Sequence, residues 1–467
     1  MKRFLLVVTL AALHGCGGET SPPPEDLGEA NVVIVMIDTL RADHLGCYGY
    51  EEPTSPFIDE LASRAAVFDR ATSTGSQTVP SVVSAMSGVY PKQHTNQYFL
   101  AQRSFRFDKS GTLPKVPKDV PMLAEYFKDR GYQTAAVVTN PWLLPRYGFG
   151  RGFDQYHDLW QDARAARESK PRGEAVNRIA RQLMDGFGDR PFLLYLHYMD
   201  VHAPYQPPEP YRKQFVGSKP GEMAYLNGRL PNAKPEDVAF TRSMYDAEIR
   251  RLDDHIRQLF DMLDELELSS STLVALVSDH GDEFHEHGGM GHGTTLYEEL
   301  VHIPFMFVHP LVSGRRLSMD VSLIDLLPTL VELTAGPAPS GCDGRSLAPW
   351  VLGSRDEAAW PDRVVMNELG IIKSVRRGPH KLIRWLEVPV QRAYDLAADP
   401  GEQNPVAVGS GFDGSAPAWC RELDAALTDF LAKPRVGDAP EPPEVQPKLT
   451  EKQRQALEQL KILGYVK

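Results

Sequence analysis

The chain has 467 residues, with 50 Lys+Arg against 62 Asp+Glu for a formal net charge of −12, and it is 42% hydrophobic and 24% charged. That balance excludes fibrous and disordered classes, leaves ample length for a buried core, and carries no window of about 18 uninterrupted apolar residues to cross a bilayer. The acidic excess argues against a nucleic-acid partner, because phosphate neutralisation needs clustered Lys and Arg.

In chain order, Lys2 and Arg3 precede an apolar run from Phe4 to Leu13, followed by His14, Gly15 and Cys16. A short basic region, an apolar run too short to span a membrane and a small residue before the break describe a secretory signal. Leu13-His14-Gly15-Cys16 resembles a bacterial lipobox with Cys16 as the lipidated first mature residue; ordinary signal cleavage nearby is the plainer alternative. The expected organisation opens with a signal over residues 1–16 and a flexible tether over 17–30, where Ser21-Pro22-Pro23-Pro24 cannot pack. The expected location is the bacterial periplasm or outer membrane, with the protein exported and lipid-anchored. Cys47, Cys342 and Cys420 remain, which is no disulfide framework and leaves room for one bridge.

Val32 to Ile37 is a continuous β-branched run ending at Asp38, as suits a central strand covered on both faces. Met122 to Arg130 reads as a helix stopped by Gly131, Pro191 to Leu196 as a strand leading into His197–His202, and Met244 to Leu266 as a long helix. Thr272 to Val277 is a third strand, ending at Ser278-Asp279-His280. Buried strands alternating with helices predict an α/β domain over 31–358 with a large, mostly parallel central sheet flanked by helices. Such sheets collect ligands just past the carboxyl ends of their strands, although any single Asp there also suits a helix N-cap. From residue 359 to 433 the short runs Val364–Met366, Ile371–Val375 and Lys381–Trp385 predict a smaller antiparallel sheet, with a helix from Arg421 to Leu431. Residues 434–467 read as a loose tail with a final amphipathic helix from Thr450 to Leu463.

Carboxylate oxygen and imidazole nitrogen together hold Zn²⁺ or Mn²⁺ well, and Asp38, Asp279 and His280 offer both at strand ends. His285 and His287, in a Gly-rich loop, read as surface residues. The ordered set of motifs resembles the sulfatase family of the alkaline phosphatase superfamily across nearly all of residues 31–400. It runs from Asp38 through Tyr48-Gly49, Pro80-Ser81, Ser87-Gly88-Val89-Tyr90-Pro91 with His94, and Gly131-Tyr132-Gln133-Thr134. It continues with Asp200-Val201-His202-Ala203-Pro204-Tyr205, Ser278-Asp279-His280-Gly281, Asp325-Leu326-Leu327-Pro328-Thr329 and Asp343-Gly344-Arg345-Ser346-Leu347, and ends at Tyr394-Asp395-Leu396 and Asp399-Pro400. The resemblance implies an alkaline phosphatase-like fold, metal ligation by Asp38, Asp279 and His280, and a nucleophile position at Thr78.

That position departs from the family. Its sulfatases use a Cys or Ser oxidised to formylglycine, and threonine, with a methyl on its β-carbon, would stop at a ketone. The family's Arg four residues beyond falls on Val82, its next Lys and His on Thr139 and Pro141, and a later Lys on His292. With those cations gone, the pattern implies a phosphoester-processing relative in which a metal-bound Thr78 hydroxyl attacks phosphorus. His202 and His292 then either protonate the leaving oxygen or, with Asp200, hold a second metal. Thr39 replaces a second Asp beside Asp38, which favours Zn²⁺ or Mn²⁺ over Ca²⁺. By charge balance a singly charged phosphate diester or phosphonate monoester is favoured over a dianion, with sulfate esters next. Asn96, Thr139 and Asn140 are the expected substrate-binding amides and hydroxyl, Asn96 also suiting a turn. Arg41 and Asp43 are expected to pair and steady Asp38, and Thr78 also reads as a helix N-cap. The segment from Pro207 to Asn232 is expected at the pocket mouth. The substrate is expected to be a small-molecule, glycan or lipid ester. The alternatives are a phospho-alcohol transferase and an inactive glycan-binding homologue.

Overall fold

Nearly continuous apolar runs form the central strands of the fold. The computed structural model describes residues 26–94 and 116–433, apart from 166–169, 171, 218–220, 224–227, 230–232, 335, 389, 413 and 414. The expected signal, the anchor at Cys16, most of the tether, Asn96 and the tail with its final helix lie outside the described residues. The strands are β1 (Asn31–Ile37), β2 (Ala66–Thr72), β3 (Gln133–Val138), β4 (Gln155–Asp158), β5 (Phe192–Tyr198), β6 (Gly228–Arg229), β7 (Thr272–Ser278) and β8 (Glu283–Phe284). They continue with β9 (Gly289–Gly291), β10 (Phe305–Val308), β11 (Arg315–Ser322), β12 (Val365–Leu369), β13 (Ile372–Arg377), β14 (His380–Trp385), β15 (Val390–Asp395) and β16 (Ala407–Gly409).

Eight of them form one sheet in the order β11-β2-β10-β7-β1-β5-β3-β4. It is parallel except at β10, which runs antiparallel to both neighbours. Successive residues of β1 point to opposite faces. Val32, Ile34 and Met36 meet the helices Thr78–Ser87, Leu123–Asp129 and Leu326–Thr334. Val33, Val35 and Ile37 meet Pro56–Ser63, Gly173–Phe187 and Pro235–Glu265. With both faces covered, β1 is buried along its whole length, which is why its sequence does not alternate.

The second sheet, β12-β13-β14-β15-β16, is antiparallel throughout. One face packs Val375 and Leu382 against Leu423, Leu427 and Phe430 of the helix Ala418–Ala432, and the other covers Leu296, Tyr297 and Leu300. The fold is therefore the expected one, a mostly parallel central sheet with a separate small antiparallel sheet. The long helix starts at Pro235, nine residues earlier than read, because Pro at the first turn and Glu236 and Asp237 behind it suit a helix start. All three described cysteines are free, so the bridge left open by the sequence is not made. None of the described helices is long and apolar enough to cross a membrane.

Candidate active site

In register, Ile37 of β1 lies beside Ser278 of β7 and Tyr198 of β5, so the next residues, Asp38 and Asp279, emerge side by side. Asp38, Asp279 and His280 each present a ligand atom within 4.8 Å of the others, and all three are buried. The backbone is shaped for it. Thr39 turns the chain with φ of 62°, a conformation uncommon for a side chain of its type. Its N–H donates to Asp279 Oδ1 (3.1 Å), as does the His280 N–H (2.8 Å), and the Thr39 hydroxyl is spent on the Val201 carbonyl (3.1 Å).

His280 Nδ1 donates to the Gly281 carbonyl (3.0 Å), which leaves the lone pair on Nε2, and burial holds the ring neutral with its pKa down at about 3. That nitrogen is 3.3 Å from Thr78 Oγ1. Thr78 is the first residue of its helix. The N-cap is Gln77, with no side-chain cap, which corrects the reading of Thr78 as the cap and leaves its hydroxyl directed at the site from the positive end of the helix.

Asp38 Oδ1 and Asp279 Oδ2 are buried without a hydrogen-bond partner among the described residues. Burial opposes charge on both. His202, His197 and His280 hold the Asp38 carboxyl below its usual range, whereas the charge of Asp38 pushes Asp279 well up. Two facing carboxylates, a neutral imidazole lone pair and orphaned oxygens fit a divalent cation.

Asp282 Oδ1 accepts from His292 Nδ1 (2.7 Å), and its Oδ2 accepts from the Tyr205 hydroxyl (2.6 Å). Despite burial, His292 and Tyr205 hold the Asp282 carboxyl down at about 2, and Asp282 holds His292 up against its own burial. The His292 ring stands 4.6 Å from that of His280 and 5.2 Å from that of His202. Burial pulls His202 down while Asp282 pulls His292 up, so the two facing imidazoles are shifted in opposite directions.

Three expected roles change. Asp200, expected beside His202 and His292, turns away: its Oδ1 accepts from Gly173 N–H (3.1 Å) at the start of a helix and faces His255 Nε2 at 3.7 Å. The second-metal set therefore loses its carboxylate. Thr139 is held by His197, accepting from Nδ1 and donating to the backbone carbonyl, both at 2.9 Å, so its hydroxyl is already engaged within the protein. Asn140 donates to Asp38 Oδ2 (2.8 Å) and accepts from Trp142 N–H, which makes it a support for Asp38. His287 is not a surface residue either. It stacks on Tyr297 at 3.5 Å and pairs with Glu299 at 2.8 Å. Arg41 and Asp43 do pair, through two hydrogen bonds of 2.9 and 2.7 Å, and Arg41 also reaches Glu286 and the Asp282 carbonyl, steadying the loop that carries Asp282. The 207–232 segment meets the site through β6, which pairs with β9 just before His292.

Sequence reasoning missed Asp282, His197 and Lys170. Asp282 follows directly on Ser278-Asp279-His280-Gly281, and its partner is the histidine ten residues on. His197 is the penultimate residue of β5, with its Nε2 3.7 Å from Asp38 Oδ2. The Lys170 ammonium is buried and donates to the carbonyls of Asp200 and His202; burial lowers it to about 8 although Glu248 opposes this. No local signal announces Lys170.

A sulfatase family model matches residues 30–337. The chain is 26% identical to human iduronate 2-sulfatase over 67% of its length and 70% of that protein. It is 24% identical to a delta 4,5-hexuronate-2-O-sulfatase of Bacteroides thetaiotaomicron over 90% of the chain and 92% of that protein. In structure it is similar to a phosphonate monoester hydrolase from Silicibacter pomeroyi, with TM-score 0.66 and 21% identity, over 86% of this chain and 94% of that one.

Proposed function

Since the chain belongs to the sulfatase family and is an ester-hydrolysing enzyme, we propose that it cleaves phosphate diesters or phosphonate monoesters, with sulfate esters second, through Thr78. The observation that carries this reading is the Thr78 hydroxyl, 3.3 Å from the His280 Nε2 lone pair and beside the buried Asp38 and Asp279 carboxylates. Asp38, Asp279, His280 and the Thr78 oxygen would hold the cation, Zn²⁺ or Mn²⁺ rather than Ca²⁺, because Thr39 supplies no second carboxylate and its hydroxyl is already engaged. When bound, a divalent cation supplies Lewis acidity, favouring a deprotonated hydroxyl and polarising an ester oxygen.

The chain's own residues do the rest. Thr78 Oγ bonds to phosphorus as the bond to the leaving oxygen breaks. His292, held by Asp282 through its Nδ1, gives its proton to that oxygen, and the same imidazole then takes a proton from the water that cleaves the threonine ester, which resets it. A singly charged diester suits a site in which Val82 stands where a clamping arginine would, and where Thr139 is already committed to His197. Sulfate turnover through formylglycine is excluded chemically for threonine. The leader and Cys16 carry the further proposal that the protein is exported and lipid-anchored; Cys16→Ser should move it from the membrane to the soluble fraction.

A panel of aryl sulfate, aryl phosphate, bis-aryl phosphate and aryl phosphonate, each run with Zn²⁺, Mn²⁺ and Ca²⁺, tests the reading. It expects bis-aryl phosphate or phosphonate to turn over fastest with Zn²⁺ or Mn²⁺. Fastest turnover of aryl sulfate would overturn it.

A further inference from the structure

The second sheet touches the loop that delivers Thr78, and it does so through three consecutive residues of its outermost strand, β12. Among the described strands β12 pairs with β13 alone, so its other edge is free for other partners. Along that edge Met366 N–H donates to the Tyr90 hydroxyl (3.3 Å) and Glu368 N–H to the Thr74 carbonyl (2.8 Å). Between them Asn367 Nδ2 donates to Thr72 Oγ1 (2.8 Å) and to the Ser73 carbonyl, while its Oδ1 accepts from Ser374 Oγ (2.6 Å). Both donors of that amide and one direction of its oxygen are used inside the protein, at 1% exposure.

Ser73 passes the restraint on. Its hydroxyl donates to the carbonyl of Asp279, a proposed metal ligand, and lies 3.0 Å from Ser81 Oγ in the first turns of the Thr78 helix. Ser81 in turn donates to the Gly75 carbonyl (3.3 Å). Gly75 is pressed onto β12 so closely that a methyl there would stand 2.7 Å from the Glu368 carbonyl oxygen. The Glu368 carboxylate, paired with Lys373 at 2.8 Å, accepts from the Lys92 N–H (2.9 Å) beyond the other end of the same helix.

From this we infer that Asn367 is a positioning residue for catalysis, and that β12 is a clamp setting the Thr78 hydroxyl against His280. The inference rests on Thr78 being the nucleophile. Asn367 touches no reacting atom. It acts through Ser73, whose two contacts tie the nucleophile loop to the strand end that carries Asp279 and His280. The second sheet is thereby part of the active site's frame.

Asn367→Asp keeps the size but cannot donate to Thr72 and Ser73; Gly75→Ala attacks the same contact from the other side. Val408→Ala, on the exposed far strand, is the control. Amide exchange read by mass spectrometry on the full chain should rise about tenfold for residues 72–78 in both variants, with β13–β15 unchanged. With bis(4-nitrophenyl) phosphate, kcat should fall about tenfold or more at unchanged KM, while Val408→Ala behaves as wild type. Asn367→Asp and Ser73→Ala should not add in kcat, since they break one chain of contacts. Unchanged exchange at 72–78, or faster exchange spread equally over the second sheet, overturns the clamp. If wild-type protein fails to turn over the probe, the reading of Thr78 falls and the exchange result still decides the clamp.

Discussion

Asp38 is supported by a neutral amide. Asn140 donates to its Oδ2, and residues that orient a metal ligand are generally worth about 10–100-fold in metal affinity. Asn140→Ala should weaken Zn²⁺ binding by about tenfold in a competitive chelator titration. At the other side of the site the proton donor is built from Asp282 and His292. Asp282→Asn should cost about a hundredfold with an alkyl leaving group, which needs a proton, and far less with nitrophenolate, which does not. Equal losses for both leaving groups would remove His292 as the acid. The ligand types were legible in the sequence because they sit in short motifs at strand ends. The partners of Thr139, Asn140 and Asp200 were not, since a polar side chain next to a site shows nothing of whether a backbone group or a neighbouring strand has claimed it first. Asp200 illustrates this: its carboxylate caps a helix that starts 27 residues upstream.

Elements whose burial is uniform were the easiest to read. β1, β5 and β7 are nearly unbroken apolar runs, and they are the strands that end at Asp38, His197–His202 and Asp279. β2 and β11 carry Asp and Arg within them, and β4 is Gln-Tyr-His-Asp, so local pattern gave no strand there; pairing with neighbours on the sheet's outer parts makes them strands. The short helix Glu298–Val301 matters at this scale. Burial would raise the Glu298 carboxyl, but Arg376 and Lys381 from the second sheet, each with a contact of 2.6–2.8 Å, hold it down at about 2. A depressed carboxylate stabilises the fold fully above its unfolded pKa of about 4.3, and this contribution is lost as pH falls through about 2. Glu298→Gln should therefore destabilise by about 3 kcal/mol at pH 7, by denaturant unfolding, with the two proteins converging only below about pH 2. Parallel pH curves would show that this ion pair does not join the sheets.

At the scale of the whole molecule, folding brings together carboxylates 241 positions apart in a buried site, where their mutual repulsion opposes the fold until a cation offsets it. Zn²⁺ or Mn²⁺ should raise Tm, with stabilisation of about 2.7 kcal/mol at a hundred times Kd, and Asp279→Ala should abolish the rise. The central sheet, the small antiparallel sheet of the C-terminal region and the line of strand ends were legible from sequence pattern and motif resemblance together, whereas the three-stranded β6-β9-β8 sheet was not. The contact of β12 with the nucleophile loop was not, because it depends on how the two sheets pack and no motif encodes that. The central claim is chemical, that the Thr78 oxygen becomes bonded to phosphorus. Rapid acid quench of the enzyme during turnover of bis(4-nitrophenyl) phosphate, followed by peptide mass spectrometry, addresses it directly. The account predicts one nitrophenol released per site in a burst and a nitrophenyl phosphoryl group on Thr78, both lost in Thr78→Ala. Undiminished turnover by Thr78→Ala, or the adduct on another residue, would contradict it.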